Sequence, residues 1–243
     1  MLGATSRVQV YVIIPALNEE DALPHLVPQL HDAGADRLIV VDNGSTDRTG
    51  VVAKEAGAEV VTEARRGYGA ACLAGLAALG SADPESIVAF FDADGSDDPG
   101  LLPLLVEPIA AGRVDFVLGS RTHVAGEPGS LGLTQRVGNQ LACSLISLFW
   151  GERYTDLAPC RAVRFDALTS LHMRDQDFGW TVEMQIRAAR RGLRTLEIPS
   201  PYRRRRAGRS KISGTVLGSL KAGVTILGVI GRELLVKPAG AQR

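Results

Sequence analysis

Phe90-Phe91-Asp92-Ala93-Asp94-Gly95-Ser96-Asp97-Asp98-Pro99 is the stretch whose reading decides the fold. An apolar run, Ile87 to Phe91, ends there in four carboxylates within seven residues. Such a run, bounded by polar residues, predicts a buried strand with the carboxylates at its C-terminal end. In open α/β sheets that edge is where ligands bind. Clustered carboxylates repel one another unless a cation or donor groups offset them. Asp92 and Asp94, one residue apart, can both reach one hard metal ion, and Mg²⁺ takes one or two carboxylates plus phosphate oxygens. Asp97 or Asp98 can instead cap a helix with Pro99 at its first position.

Outward from this loop, the chain repeats one pattern. Val8–Ile14 reads as a first strand, followed by Pro15-Ala16-Leu17-Asn18-Glu19-Glu20-Asp21. Asn18 is expected to cap a helix with an acidic first turn. Arg37–Val41 reads as a second strand, ending in Asp42-Asn43-Gly44-Ser45-Thr46-Asp47. Gly44 permits a tight turn, and Ser45, Thr46 or Asp47 can cap the helix that runs through Ala56. Gly57 stops that helix, and Ala58–Thr62 is a third strand. Successive strand-then-helix units predict a parallel α/β sheet.

Arg65-Arg66-Gly67-Tyr68-Gly69-Ala70-Ala71-Cys72 follows the third strand and fails the dinucleotide fingerprint at its third glycine, where Cys72 stands. Its glycines are expected to let a helix start approach a ligand or the carboxylate loop, with Arg65 or Arg66 near phosphate. Further on, Leu101–Ala111 reads as a helix and Asp115–Leu118 as a strand ending in Gly119-Ser120-Arg121. Thr134–Trp150 is an apolar helix with Arg136 and Asn139 near its start. A cation there is unfavourable to the helix dipole unless an anionic ligand offsets it. Arg194–Pro199 is a last strand, and Arg203–Lys211 a basic loop. With only Tyr202 nearby, that loop lacks the aromatic interleaving of a single-strand binder, so no nucleic-acid partner is expected; guanidinium forks suit a phosphate clamp. Val216–Val236 is apolar on one face, through Leu217, Leu220, Val224 and Leu227. It can pack on the domain, mediate oligomers or lie at a bilayer surface.

The 243 residues sum to zero net charge, but the sign divides along the chain. Residues 1–160 hold 10 Lys/Arg and 21 Asp/Glu, a net of −11; residues 161–243 hold 17 and 6, a net of +11. An acidic site beside a surface that meets anions is the expected consequence. Three cysteines, Cys72, Cys143 and Cys160, make no paired framework and fit a reducing compartment. The N-terminus lacks the basic stretch and apolar core of a signal peptide, and no apolar run reaches the ~18 residues of a membrane span.

Taken together, the motifs resemble glycosyltransferase family 2, the inverting GT-A transferases, and within it the dolichol- or polyprenyl-phosphate sugar transferases. The matching stretches are IPALNEED (14–21), VVDNGSTD (40–47), RGYGAA (66–71), FDADGSDDP (91–99), GSR (119–121), RVGNQL (136–141), FGWTVEMQIRA (178–188) and RRRRAGRSKISG (203–214). The resemblance implies an α/β GT-A fold, Rossmann-like, with a mostly parallel central sheet flanked by helices. Residues 1–212 would form that domain and 213–243 an amphipathic C-terminal segment. It implies donor-nucleotide contacts from Pro15, Ala16, Asn18, Glu19, Asp42, Asn43, Ser45, Arg66, Gly69, Asp92 and Ala93. Mg²⁺ or Mn²⁺ would be held by Asp92 and Asp94. Arg121, Arg136, Asn139, Arg206, Arg209 and Lys211 would meet an acceptor phosphate, with Asp92, Asp94, Arg121 and Arg136 serving catalysis. Three positions depart from the family pattern: Tyr68 replaces a frequent lysine, Ser96 a frequent glutamine, and Ala158-Pro159-Cys160 a frequent Ser-Gly-Phe.

The expected reaction moves a hexose from GDP-mannose or UDP-glucose to a polyprenyl or dolichyl phosphate, peripherally at the cytoplasmic face of a membrane. Without a span of its own, the chain points to a separate membrane-anchor or flippase protein as partner. A phosphomonoester, with its second pKa near ~6, is already mostly dianionic at neutral pH and needs positioning rather than deprotonation. A hydroxyl acceptor, soluble or lipid, would need a base such as Asp156 or Glu183. Two other classes remain: a sugar nucleotidyltransferase, disfavoured by the acidic Asn18–Asp21 loop, and a non-catalytic sugar-nucleotide-binding module, disfavoured by the paired Asp92 and Asp94.

Overall fold

The computed structural model describes residues 7–122, 133–201 and 216–235. Among them, seven strands form one sheet in the order β3-β2-β1-β4-β6-β5-β7. The strands are β1 (Val10–Ala16), β2 (Arg37–Asp42), β3 (Glu59–Thr62), β4 (Ile87–Phe90), β5 (Phe116–Ser120), β6 (Arg161–Arg164) and β7 (Thr195–Pro199). β1 runs parallel to β2 and β4, β2 to β3, and β5 to β7. β6 is antiparallel to both β4 and β5.

The helices cover both faces. On one side lie α1 (Leu23–Asp32), α2 (Thr49–Glu55) and α4 (Leu102–Ala110); on the other, α3 (Tyr68–Leu79), α5 (Leu133–Trp150), α7 (Trp180–Arg191) and α8 (Val216–Leu235). The short α6 (Phe165–Ser170) follows β6 directly. Strands buried on both faces must be apolar throughout. In β1, Val12 and Ile14 face α1 and α4, while Ile13 faces α3. Gly75 lets α3 press onto that second face: a Cβ there would sit 2.5 Å from Ile13 Cγ2 and 3.2 Å from Val41 Cγ2.

The chain passes from β1 outward through β2 to β3, then returns to the far side of β1 with β4. The β1 and β4 carboxyl ends therefore flank a topological switch point, where loops diverge and leave a crevice. β6 runs the other way, so its first residue, Arg161, lies opposite Phe90 and Leu118 at the same edge. Segment 155–160 is thereby delivered beside the carboxylate loop and the end of β5.

Some local expectations are corrected. Asn18 does not cap α1: that helix starts at Leu23 with no side-chain cap and no acidic first turn. Asn18 instead adopts a left-handed φ of +52°, and its side-chain oxygen accepts the Thr46 N–H at 2.8 Å. Pro15 and Ala16 belong to β1 rather than to the loop. Asp98, not Asp97, caps the single 3-10 turn Pro99–Leu101 that leads into α4, accepting the Gly100 N–H at 3.0 Å.

Overpacking a close-packed interior typically costs ~1–3 kcal/mol. Gly75→Ala is expected to lower the free energy of unfolding by about that amount. Urea denaturation with an unchanged slope would register it; an unaltered midpoint would contradict the α3–β1 contact.

Candidate active site

The residues expected to meet a donor nucleotide gather at the ends of β1 and β2. Two loops are stitched together there. The Asn18 N–H donates to Ser45 Oγ at 3.0 Å, the buried Glu19 donates its N–H to Thr49 Oγ1 at 2.8 Å, and Glu20 accepts the Arg48 N–H at 3.0 Å. Asp42 accepts the Ser45 N–H at 2.9 Å, and Asp47 accepts that of Thr49 at 3.0 Å. Asn43 is a clamp: its amide donates to the Glu63 and Arg65 carbonyls at 3.1 and 2.7 Å, and its oxygen accepts the Gly67 N–H at 2.8 Å. Arg66 donates to the Gly44 carbonyl at 2.9 Å. Pro15, Ala16, Asn18, Glu19, Asp42, Asn43, Ser45 and Arg66 thus share one edge.

Gly69 does something else. It is buried beneath segment 175–177, and a Cβ on it would stand 2.2 Å from the Asp175 carbonyl oxygen. The expectation that these glycines open a helix start to a ligand is corrected: what approaches them is this chain's own backbone.

At the switch point, Asp92 is half-buried, Ala93 and Asp94 are buried, and Asp94 accepts the Ser96 N–H at 2.9 Å. Asp97, read from sequence as a capping residue, is 1% exposed. One of its oxygens accepts the Asp92 N–H at 3.4 Å; the other has no hydrogen-bond partner among the described residues. Burial, then the neighbouring Asp94 carboxylate, raise its pKa to about 7, against the opposing pull of Arg121. Crowded, desolvated carboxylates are what a divalent cation relieves, and the all-oxygen donor set fits a hard ion such as Mg²⁺ or Mn²⁺. Asp92 and Asp94 could hold it. No group of three His, Cys, Asp or Glu side chains placed to enclose a metal occurs among the described residues, so other positions would fall to ligand or water oxygens.

Across the edge, Arg121 makes a two-pronged pair with Asp156, Nε to Oδ2 and Nη2 to Oδ1, each at 2.7 Å. Asp156 is 1% exposed and also accepts the Arg121 N–H at 2.8 Å. Its loop is held from three sides. Asn139 on α5 bridges the Thr155 carbonyl and the Leu157 N–H at 3.2 and 2.8 Å. Glu197 on β7 accepts the Thr155 N–H at 2.9 Å, and Gln185 on α7 donates to the Asp156 carbonyl at 3.0 Å. Asn139 therefore serves as a backbone clamp. Arg136 is exposed on the second turn of α5. Arg206, Arg209 and Lys211 lie outside the described residues.

Sequence reasoning missed Arg161. Wholly buried, its guanidinium donates to the carbonyls of Leu157 at 3.4 Å, Pro159 at 3.3 Å and Thr181 at 3.1 Å, and more closely to Ala158. The available signal was a lone arginine between Cys160 and Ala162-Val163. Glu183, a candidate base from sequence, is also wholly buried, with both oxygens engaged.

Comparison with known proteins agrees with this geometry. The Glycosyl transferase family 2 model matches residues 11–171. A glycosyltransferase of uncharacterized activity from Mycobacterium tuberculosis is 41% identical over 213 residues, covering 88% of this chain and 94% of that protein. The undecaprenyl-phosphate mannosyltransferase of Micrococcus luteus is 31% identical over 235 residues, covering 92% and 96%. Among solved structures, glucosyl-3-phosphoglycerate synthase of M. tuberculosis, crystallised with Mn²⁺, UDP and phosphoglyceric acid, superposes with a TM-score of 0.74 at 24% identity, covering 96% of this chain and 81% of that one. The sheet and its crevice define an α/β transferase of the GT-A kind. The chain belongs to glycosyltransferase family 2.

A carboxylate whose folded pKa lies above its unfolded value contributes stability at low pH that is lost as pH rises. For Asp97 the loss falls between the unfolded value, 3.8, and about 7. In a metal chelator, Asp97→Asn is expected to unfold at higher urea than wild type at pH 8, and the advantage should shrink to nothing near pH 4. A constant difference across that window would contradict the burial of an unrelieved charge.

Proposed function

We propose that this chain transfers a hexose from a nucleotide sugar to a polyprenyl phosphate at a membrane surface. The observation that carries the reading is the engagement of both candidate bases. Asp156 has its two oxygens on Arg121, and Glu183 is buried among four donors. A hydroxyl acceptor would need one of them free. A phosphate acceptor needs neither, because it arrives ionised.

In the displacement, an acceptor phosphate oxygen forms a bond to the anomeric carbon while the bond from that carbon to the nucleoside diphosphate breaks. Inversion of an α-linked donor gives a β-linked lipid phosphate sugar. The β1 and β2 loops would hold the nucleotide. A divalent ion on Asp92 and Asp94 would supply charge compensation for the leaving diphosphate. Arg121, fixed by Asp156, and Arg136 would orient the acceptor.

The outer surface supports a lipid-borne acceptor. Of the 11 large apolar side chains left exposed among the described residues, eight lie on α5 and α8. They include Val137, Leu141 and Leu148 on α5 and Val224, Leu227 and Leu235 on α8. Among the described residues no helix is long and apolar enough to cross a membrane. These helices would lie against the bilayer at the cytoplasmic face.

The direct test supplies purified protein, a divalent metal and polyprenyl phosphate with labelled GDP-mannose or UDP-glucose in separate reactions. Label entering an acid-labile lipid with one donor is the expected result and names the sugar. Asp92→Asn should cut turnover by about 100-fold or more, and Arg136→Ala should raise the acceptor KM. Transfer to phosphoglyceric acid or another soluble acceptor, with none to lipid, would overturn the acceptor. Separately, Leu227→Glu should weaken co-sedimentation with anionic vesicles by about tenfold; equal binding would remove α8 from the membrane face.

A further inference from the structure

The C-terminal helix reaches the donor edge through an unbroken chain of contacts. On α8, Glu233 is 2% exposed and pairs with Arg187 at 2.7 Å and Arg190 at 2.8 Å, both on α7. Arg232, beside it, reaches Glu183 at 3.1 Å. Glu183 divides its carboxylate. One oxygen holds Arg187 and Arg232, at 2.9 and 3.1 Å; the other accepts the N–H groups of Arg174 and Asp175, at 2.9 and 2.7 Å. The turn so held, 174–177, offers its carbonyls to the start of α3. Gly69 donates its N–H to Asp177 at 3.2 Å and Ala70 to Gln176 at 3.0 Å. Those two amides belong to the first turn of a helix, where N–H groups have no intrahelical partner.

The fit leaves no slack. A Cβ on Gly67 would lie 2.0 Å from the Gln176 carbonyl oxygen, and one on Gly179 would lie 2.4 Å from Val229 of α8. The Gly67 N–H is in turn the one that Asn43 accepts at the end of β2.

We propose that Glu183 is a positioning residue for the nucleotide-sugar donor, with Arg232 of α8 as its outer support. Through turn 174–177 they fix the Arg66–Gly69 segment, and with it Asn43 and Arg66 at the donor edge. The assignment rests on the donor reading of that edge and adds a role that neither residue type nor position suggests: α8 is a part of the donor site rather than an appendage. Coupling through packed elements of this kind amounts to ~0.5–2 kcal/mol.

The experiment uses Arg232→Ala, since this side chain is 47% exposed and its loss spares the core, with Arg232→Lys as the conservative rescue and Glu233→Gln as a separate break between α8 and α7. Hydrogen exchange and initial-rate kinetics are read side by side. In Arg232→Ala and Glu233→Gln, amides of segments 66–72 and 174–178 should exchange about tenfold faster while β1 and β4 keep their protection, and the donor KM should rise about tenfold with kcat and acceptor KM unchanged. Arg232→Lys should restore both. Unchanged exchange at 66–72, or donor and acceptor KM rising together, would overturn the proposal. Accelerated exchange in the variants, with a wild-type protein that turns over no nucleotide sugar, would sink the donor reading and leave the mechanical coupling standing.

Discussion

The edge that carries the candidate site depends on one buried cation. Among the described residues, the Arg161 guanidinium donates to main-chain carbonyls from 157–159 and 181 and to the Gln185 side-chain oxygen rather than to a carboxylate. An isolated charge in a protein interior is costly, and its removal from such a setting leaves several carbonyls unsatisfied at once. Burial pushes its pKa down from the ordinary arginine value. What the cost secures is shape. The carbonyls converge because the guanidinium sits between them, so segment 157–159 is bent to the first residue of β6 and tied to the start of α7. Asp156 is carried on that bend, and Arg121 takes its orientation from Asp156. A phenyl ring, Phe116, lies 5.8 Å from the guanidinium and closes the remaining side.

The parallel part of the sheet was legible chiefly because β2, β4 and β5 are apolar runs with a glycine or carboxylate at their ends. Ile87–Phe91 and Arg37–Val41 are plain examples, and they lie within a residue of β4 and β2. The extent and direction of the antiparallel strand were not legible. β6 is four residues long with an arginine at each end, too short to show a period and too polar to read as a run. Its direction is set by where 155–160 must return, a long-range constraint that no local pattern carries. The misreading of Asn18 has the same origin. Its side chain has the chemistry of a cap, and the structure uses that chemistry on Thr46, 28 residues away. Gly67 and Gly69 announced a close approach from the sequence alone, but the approaching group, turn 174–177, is more than a hundred residues downstream.

The division of charge along the chain also resolves into geometry. Glu183, Glu233 and Asp156 sit against arginines at 3.1 Å or closer, so part of the chain's positive charge is used internally to hold α7, α8 and the 155–157 loop. The carboxylates of the 92–98 loop are treated differently. Asp94 and Asp97 are buried together, and among the described residues one oxygen of Asp97 is left without a donor. Ion pairs meet Asp115, Asp156, Glu183 and Glu233, whereas the crowded Asp94 and Asp97 carboxylates place a negative potential at the switch point, where it can be discharged by a cation. The fold and the electrostatics therefore pick out the same crevice by independent arguments.

The pairing of Arg121 with Asp156 bears on turnover as well as on binding. An unpaired guanidinium would hold any anion strongly, substrate and product alike, and tight uniform binding adds nothing to the chemical step. Paired at both prongs, Arg121 offers fixed orientation with its charge largely compensated. On the phosphate-acceptor reading, the acceptor carries roughly −1.5 to −2 at neutral pH, and the glycosyl phosphodiester that replaces it carries a single charge. Attraction scales with the charge it faces, so the singly charged product is held less tightly than the acceptor, and with Arg121 largely compensated that residual hold is small. The same carboxylate that is unavailable as a base thereby favours release, and one residue, Asp156, links the choice of an ionised acceptor to the discharge of its product.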